Sequence, residues 1–211
     1  MNILEIKDLE KLAQKKVPKM FFDYVNSGSW TETTYNENVS DFQKIKLRQR
    51  VAIDMSNRTL ETKMIGQKVA MPMAIAPTGL TGMQRADGEI LAAQAAEEFG
   101  IPYTLSTMSV CSIEAVAEKT KNPFWFQLYV MKDKKFMERL IDRAKAAKCS
   151  ALVLTLDLQL LGQRHKDIRN GLSTPPKLVP KHIYQVLTRP VWCMRMLTTK
   201  NHFFGNIVGH V

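Results

Sequence analysis

Two short runs set the pattern of the chain. Residues 123–130 (PFWFQLYV) and 151–155 (ALVLT) are apolar without a charge, as strands buried on both faces of a parallel sheet are. Each carries polar groups toward its carboxyl end: Gln127 and Tyr129 in the first, Thr155 and then Asp157 in the second. Polar side chains at the carboxyl ends of buried parallel strands are what the catalytic face of an α/β barrel presents. The plainer alternative is that Asp157 caps a following helix and Tyr129 is a core aromatic with a bonded hydroxyl.

The flanking periodicity places these runs in a series. Residues 6–16 (IKDLEKLAQKK) repeat apolar positions at Ile6, Leu9, Leu12 and Ala13, a helical stripe, and Pro18 suits the start of a second helix stopped at Gly28. Residues 44–72 read as short extended pieces with a turn at Gly66, a small antiparallel element. From Met73 strands and helices alternate. Strands are expected to start at Met73, Tyr103, Pro123 and Ala151, and helices to cover 87–99 (ended by Gly100), 112–119 (capped by Ser112) and 134–147. About four βα units in sequence predict the N-terminal part of a TIM (β/α)₈ barrel, since a closed barrel needs eight strands and about 250 residues. The expected organisation is therefore 1–72 as helices and short strands capping the barrel, 73–164 as its first four units, and 165–211 as a flexible basic segment. The chain reads as the front half of a longer protein.

Composition changes this picture at one place. The 211 residues carry a net charge of +10, and residues 165–211 hold seven Lys or Arg against the single acid Asp167, together with all four histidines. Interleaved Trp, Ile, Leu and Met in 177–204 suit an anionic bilayer surface as well as a lid packed on further polypeptide. No nucleic-acid motif accompanies the basic residues. Three separated cysteines (Cys111, Cys149, Cys193) argue for a reducing compartment and against a disulfide framework or a structural metal site.

The segments PKMFFDYVNSG, LRQR, MPMAIAPTG, TLSTMSV, FWFQLYV and TLD…GQR occur in an order that resembles the FMN-dependent α-hydroxy-acid dehydrogenases and oxidases. Within that family TLSTMSVCSIE, WFQLYV and RAKAAKCSALVLTLD most resemble the bacterial respiratory L-lactate dehydrogenases. The resemblance implies FMN as cofactor, with the backbone at Pro77, Thr78 and Gly79 bordering the isoalloxazine and Ser106, Gln127 and Thr155 bonding its polar edge. It implies that Tyr24 and Arg164 contact the substrate carboxylate and that Tyr129 faces the substrate hydroxyl. Asp157 would orient the catalytic histidine, and Met108 and Gly79 would shape the pocket beside the substrate side chain.

That general-base histidine, the arginine that forks onto the carboxylate, the lysine near the flavin and the phosphate site have no match in these residues. His165, between Arg164 and Lys166, is expected to face solvent and not to replace the base. The resemblance thus implies oxidation of a small 2-hydroxy acid, L-lactate to pyruvate, by a homo-oligomeric full-length enzyme. Quinone, cytochrome or oxygen would be the electron acceptor. The expected location is cytoplasmic, peripheral on the inner membrane through 177–204. The alternative expectation is a non-catalytic truncated fragment that associates at most with a membrane or a partner.

Overall fold

The computed structural model describes residues 2–172 and 180–209 and divides into two compact units, 1–59 with 160–190 and 60–159 with 191–211. Part of the basic tail, residues 173–179 with Lys177, lies outside the described residues, as does His210.

The first unit is helical. α1 (Ile6–Lys16) follows the apolar stripe read from the sequence but buries none of its residues. α2 (Lys19–Val25) begins after Pro18 and buries Met20, Phe22 and Asp23. α3 (Thr33–Ser40) continues into a 3₁₀ turn, Asp41–Lys44. α3 carries no apolar stripe, and its Glu32 cap sits at φ 60°, so periodicity offers no sign of it. α8 (His165–Asn170) packs on α2 and ends at Gly171 in the left-handed conformation that glycine accepts without a Cβ clash. α9 (Pro180–Leu187) also packs on α2.

The second unit holds the sheets. β1 (Thr62–Met64) and β2 (Gln67–Val69) form an antiparallel hairpin around Ile65 and Gly66, both at positive φ. α4 (Thr81–Gln84) and α5 (Gly88–Phe99) precede β3 (Thr104–Ser106). α6 (Ile113–Ala117), β4 (Trp125–Tyr129), α7 (Lys134–Ala146) and β5 (Ala151–Thr155) complete the alternation, and α10 (Pro190–Thr198) follows. Ser112 and Asp133 cap α6 and α7 by accepting from Ala115 N and Phe136 N. Strands β3, β4 and β5 lie in sequence order, all parallel, with Ile75 bridged to Tyr103 on the far side of β3. Near Met73, where the sequence predicts a strand, this single bridge is all that forms among the described residues.

Register sorts the side chains by parity, because successive residues of a strand point to opposite faces. Leu105, Phe126 and Leu128 point to one face, where Ala93, Ala96, Ile113, Val116, Phe136 and Leu140 from α5, α6 and α7 bury them. Leu152 and Leu154 share that face but remain 47% and 50% exposed. Thr104, Ser106, Trp125, Gln127, Tyr129, Val153 and Thr155 occupy the opposite face. This is a partial α/β barrel arrangement, with helices on one face of a parallel sheet and polar groups gathering on the other. No closed barrel forms among the described residues.

Candidate active site

On that second face a row of side chains crosses three strands at their carboxyl ends. The Ser106 hydroxyl donates to Gln127 Oε1 at 3.1 Å, and Gln127 Nε2 donates to Thr155 Oγ1 at 2.7 Å. Thr107 N donates to Gln127 Oε1 at 3.2 Å, and the Thr107 hydroxyl donates to the Gln127 carbonyl at 2.6 Å. Ser106, Thr107 and Gln127 are buried, so these bonds form where a lost partner would leave an unpaired polar atom.

Counting bonding capacity shows what the row can still offer. Gln127 Oε1 has both lone pairs engaged, and the Ser106 hydroxyl, which also accepts from Met108 N at 3.1 Å, has one left. Among the described residues one N–H of Gln127 and the hydroxyl proton of Thr155 have no acceptor. Two adjacent donors thus stand at the end of the row nearest β5.

The 77–80 loop joins this row through the backbone. Leu80 N donates to the Met108 carbonyl at 3.1 Å, and the Thr81 hydroxyl donates to the Thr78 carbonyl at 3.0 Å. Leu80 holds φ 57°, a left-handed conformation that costs a residue with a Cβ on the order of 1–2 kcal/mol. Pro77 and Thr78 are exposed and Gly79 is half-buried.

Beyond the row, Tyr129 is half-buried and Asp157 exposed. Burial, and then the nearby Asp157 charge, raise the Tyr129 pKa above the ordinary phenol value, so its hydroxyl stays protonated and can donate. Asp157 caps no helix, since the chain from 156 to 164 is irregular.

Tyr24 and Arg164 form a second cluster, within the helical unit. The Arg164 guanidinium lies over the Tyr24 ring, 4.6 Å from its centroid, and Nη2 donates to the Tyr24 carbonyl and, at 3.1 Å, to Ser27 Oγ. Arg164 Nε pairs by charge with Asp167 Oδ2 at 2.9 Å. Burial raises the Asp167 pKa; Arg164 lowers it by a lesser amount, and Asp23 adds to the rise. Beside Tyr24, the buried Asp23 carboxylate accepts from Asn170 Nδ2 at 2.7 Å and from Lys19, and the Asn170 carbonyl meets His182 Nε2 at 2.6 Å. His165, expected in solvent, is half-buried with its ring edge-on to Trp30 at 6.1 Å.

Elsewhere in the second unit, a cavity of about 390 Å³ opens at the amino-terminal ends of β3 and β4, lined by Val69, Tyr103 and Phe124 among others. Its one acid, Glu97, already accepts from Lys121 N and Asn122 N, so it supplies no convergent chemistry. Among the described residues no three His, Cys, Asp or Glu side chains gather as a metal site.

Sequence comparison matches residues 13–210 to the FMN-dependent dehydrogenase model. The chain belongs to the FMN-dependent dehydrogenase family. Its curated relatives include the L-lactate dehydrogenase of Vibrio parahaemolyticus, 45% identical over 95% of this chain and 53% of that protein. The L-lactate dehydrogenase of Haemophilus influenzae is 44% identical over 98% of this chain and 54% of that protein. The chain thus spans about half the length of the curated relatives it matches. Among solved structures, a monotopic membrane protein, (S)-mandelate dehydrogenase, superposes with TM-score 0.90 at 32% identity, covering 99% of this chain and 56% of that one. A lactate oxidase from Pediococcus acidilactici superposes with TM-score 0.78 at 30% identity, over 89% of this chain and 52% of that one.

FMN is the cofactor of this family. The donor set suits it: an isoalloxazine edge offers carbonyl and ring-nitrogen acceptors, and the spare Gln127 N–H and Thr155 O–H are neutral donors on adjacent strands. Sequence reasoning passed over Thr107, although TLSTMSV shows a cluster of hydroxyls directly after a strand, which is the available signal. It also passed over Asp23 and Asn170, which carry none.

Proposed function

We propose that this chain forms the flavin-edge and substrate-carboxylate portion of an FMN-dependent 2-hydroxy-acid dehydrogenase, with L-lactate as substrate and pyruvate as product. The observation that carries the reading is the Ser106–Gln127–Thr155 row at the carboxyl ends of three parallel strands, with Tyr129 and Asp157 just beyond it. In this reading the strands belong to the first four βα units of a (β/α)₈ barrel, preceded by capping elements over 1–72 and followed by the basic segment 165–211. The family resemblance and the names of the curated relatives support it.

Oxidising a 2-hydroxy acid to a 2-oxo acid removes two electrons and two protons; FMN when bound would accept both electrons and one proton, and the base the other proton. The protein residues do the rest. Gln127 and Thr155 donate to the ring edge, Ser106 holds the Gln127 amide in place, and the backbone of Pro77, Thr78 and Gly79 flanks the ring. Tyr129, kept protonated, donates to the substrate hydroxyl oxygen and orients the C2–H bond. Asp157 steadies the positive charge of the base that takes the C2 proton, in this reading a histidine outside these residues. Tyr24 and Arg164 receive the substrate carboxylate, the guanidinium by charge and the phenol by hydrogen bond. Anaerobic addition of L-lactate to FMN-loaded protein spanning the relatives' full length tests this. Bleaching of the flavin visible band is expected, and no bleaching by any short 2-hydroxy acid refutes it.

A second feature supports a peripheral membrane contact. α9 exposes Ile183, Tyr184 and Leu187, and α10 exposes Val191, Met194 and Leu197; Lys181, Arg189, Arg195 and Lys200 are interspersed with them in sequence, and no acid is. No helix of the described residues is long and apolar enough to cross a bilayer. Contact would therefore be interfacial, with basic residues at anionic headgroups. Should the chain bind FMN and anionic vesicles yet never bleach in any full-length context, the alternative of a non-catalytic, membrane- or partner-associating chain stands. Co-sedimentation with vesicles containing phosphatidylglycerol, weakened by added salt, is the expected result for the contact itself.

A further inference from the structure

The carboxyl end of β3 is fastened by a residue one hundred positions downstream. Asn206 is fully buried; its Nδ2 donates to the Ser106 carbonyl at 3.3 Å and to Ser109 Oγ at 2.9 Å, and its Oδ1 accepts from Ile113 N at 2.9 Å. The preceding Gly205 N points at the Ser109 and Val110 carbonyls, 3.2 Å from each. A Cβ on Gly205 would lie 2.7 Å from both Ser112 N and Val110 O, so only glycine lets the two backbones approach this closely. Behind Asn206, Arg143 forks onto both Glu114 oxygens at 2.7 Å and reaches the Asn206 carbonyl at 3.3 Å. From the other side Glu89, fully buried, accepts Val110 N at 2.9 Å.

We infer that Asn206 is a positioning residue for the flavin-edge row, acting through Ser106. The inference rests on reading that row as the flavin site. Among the described residues, Ser106 is the one bonded both to Asn206, through its carbonyl, and to Gln127, through its hydroxyl. The same turn carries Thr107, which bonds the Gln127 amide and carbonyl, and Met108, whose carbonyl holds Leu80 at the end of the 77–80 loop. A buried carbonyl that loses its donor either stays unpaired or moves to find another. Movement of Ser106 would turn the Gln127 amide and with it the donor pair at Thr155. Asn206 supplies both of its donors to this turn, and its amide serves no other described group except its acceptor contacts to Ile113 N and, at 3.4 Å, Arg143 Nη2.

The test compares Asn206→Asp, Glu114→Gln and Gln127→Leu with the unaltered chain, each in protein spanning the relatives' full length, in FMN fluorescence titrations, with thermal melts alongside. Asn206→Asp keeps the acceptor for Ile113 N beside Arg143 but removes both donors. We expect FMN affinity to fall about tenfold and the near-ultraviolet flavin band to revert toward that of free FMN. Glu114→Gln breaks the fork behind Asn206 and is expected to lower the melting temperature while leaving affinity and band unchanged. If Asn206→Asp binds FMN with unaltered affinity and spectrum, or if both variants lose affinity in proportion to their lost stability, the inference is overturned. Should Asn206→Asp not fold, Ser109→Ala removes one of the two accepting groups. About threefold weaker FMN binding is then expected, and unchanged binding overturns the inference. Gln127→Leu separates the levels. If it binds FMN as the unaltered chain does, or if that chain takes up none, the site reading fails and this inference with it. If Gln127→Leu loses FMN while Asn206→Asp keeps it, only the role of Asn206 fails.

Discussion

The two polar clusters of this chain are built from opposite materials. The row on β3, β4 and β5 is neutral throughout, held by short bonds among Ser106, Thr107, Gln127 and Thr155 and buried up to its last member. The cluster of the helical unit is charged, with Lys19, Asp23, Arg164 and Asp167 around Tyr24; its inner residues Asp23, Ser27, Asn170 and His182 are buried, while Lys19, Arg164 and Asp167 reach solvent. A neutral row gains its strength from geometry and is indifferent to salt, whereas a charged cluster acts by Coulomb attraction and is screened. A flavin edge presents dipoles and a hydroxy acid presents an anion, so each cluster matches the partner proposed for it.

The largest effect should come from the neutral row. Gln127→Leu strands Ser106, Thr107 and Thr155 at once, and is expected to weaken FMN binding about a hundredfold and to cost about 2–4 kcal/mol of stability. Fluorescence titration and urea denaturation measure the two. Next is Arg164→Lys, which keeps the charge but loses the planar group over Tyr24. In protein spanning the relatives' full length, and on the proposed reading, KM for L-lactate should rise about tenfold with kcat within about threefold and FMN affinity unchanged; equal losses in kcat and FMN affinity would undo the distinction between the clusters.

Smaller effects concern pH, and here the units should diverge in sign. The Arg143 fork lowers the Glu114 pKa to about 2, so its contribution is complete above the unfolded carboxylate range and is lost as pH falls toward 2. Glu114 is half exposed, and screening holds that contribution to about 1 kcal/mol or less. Asp167 has the reverse shift: burial raises its folded pKa, so the charged form is penalised at neutral pH and the penalty is relieved as pH falls through that raised value. Acidifying from neutrality should thus strengthen protection of α2 and α8 slightly before the α6–α7 contact weakens. Hydrogen exchange read by segment shows this, and parallel loss in both units would contradict it. Last, Thr155→Val, which deletes one of the two spare donors, is expected to weaken FMN binding about threefold to tenfold.

How much of this is legible in the sequence depends on whether the deciding interaction is local. The cap at Ser112, the left-handed stop at Gly100 and the buried run of β4 are set by residues within a turn or a strand, and all are readable. The site residues are named from the resemblance, while their mutual bonding needs the parallel register that places Ser106 opposite Gln127. α5 shows the limit: Asp87 precedes it as a cap should, yet its carboxylate accepts from Thr199 and Asn201 instead, more than a hundred residues away. α9 and α10 read only as a basic stretch, since interleaved charge and the prolines Pro180 and Pro190 that open them interrupt any long period. Asn206, in a segment without periodicity, has no local signature at all.

The Asn206 fastening also sets a clock on biosynthesis. Ser106 and its partner are separated by 100 residues, so at about 5–20 residues per second the turn after β3 waits on the order of 5–20 s before its last bonds can form. Until then the growing chain presents a half-tied loop, a window in which chaperones or proteases meet it.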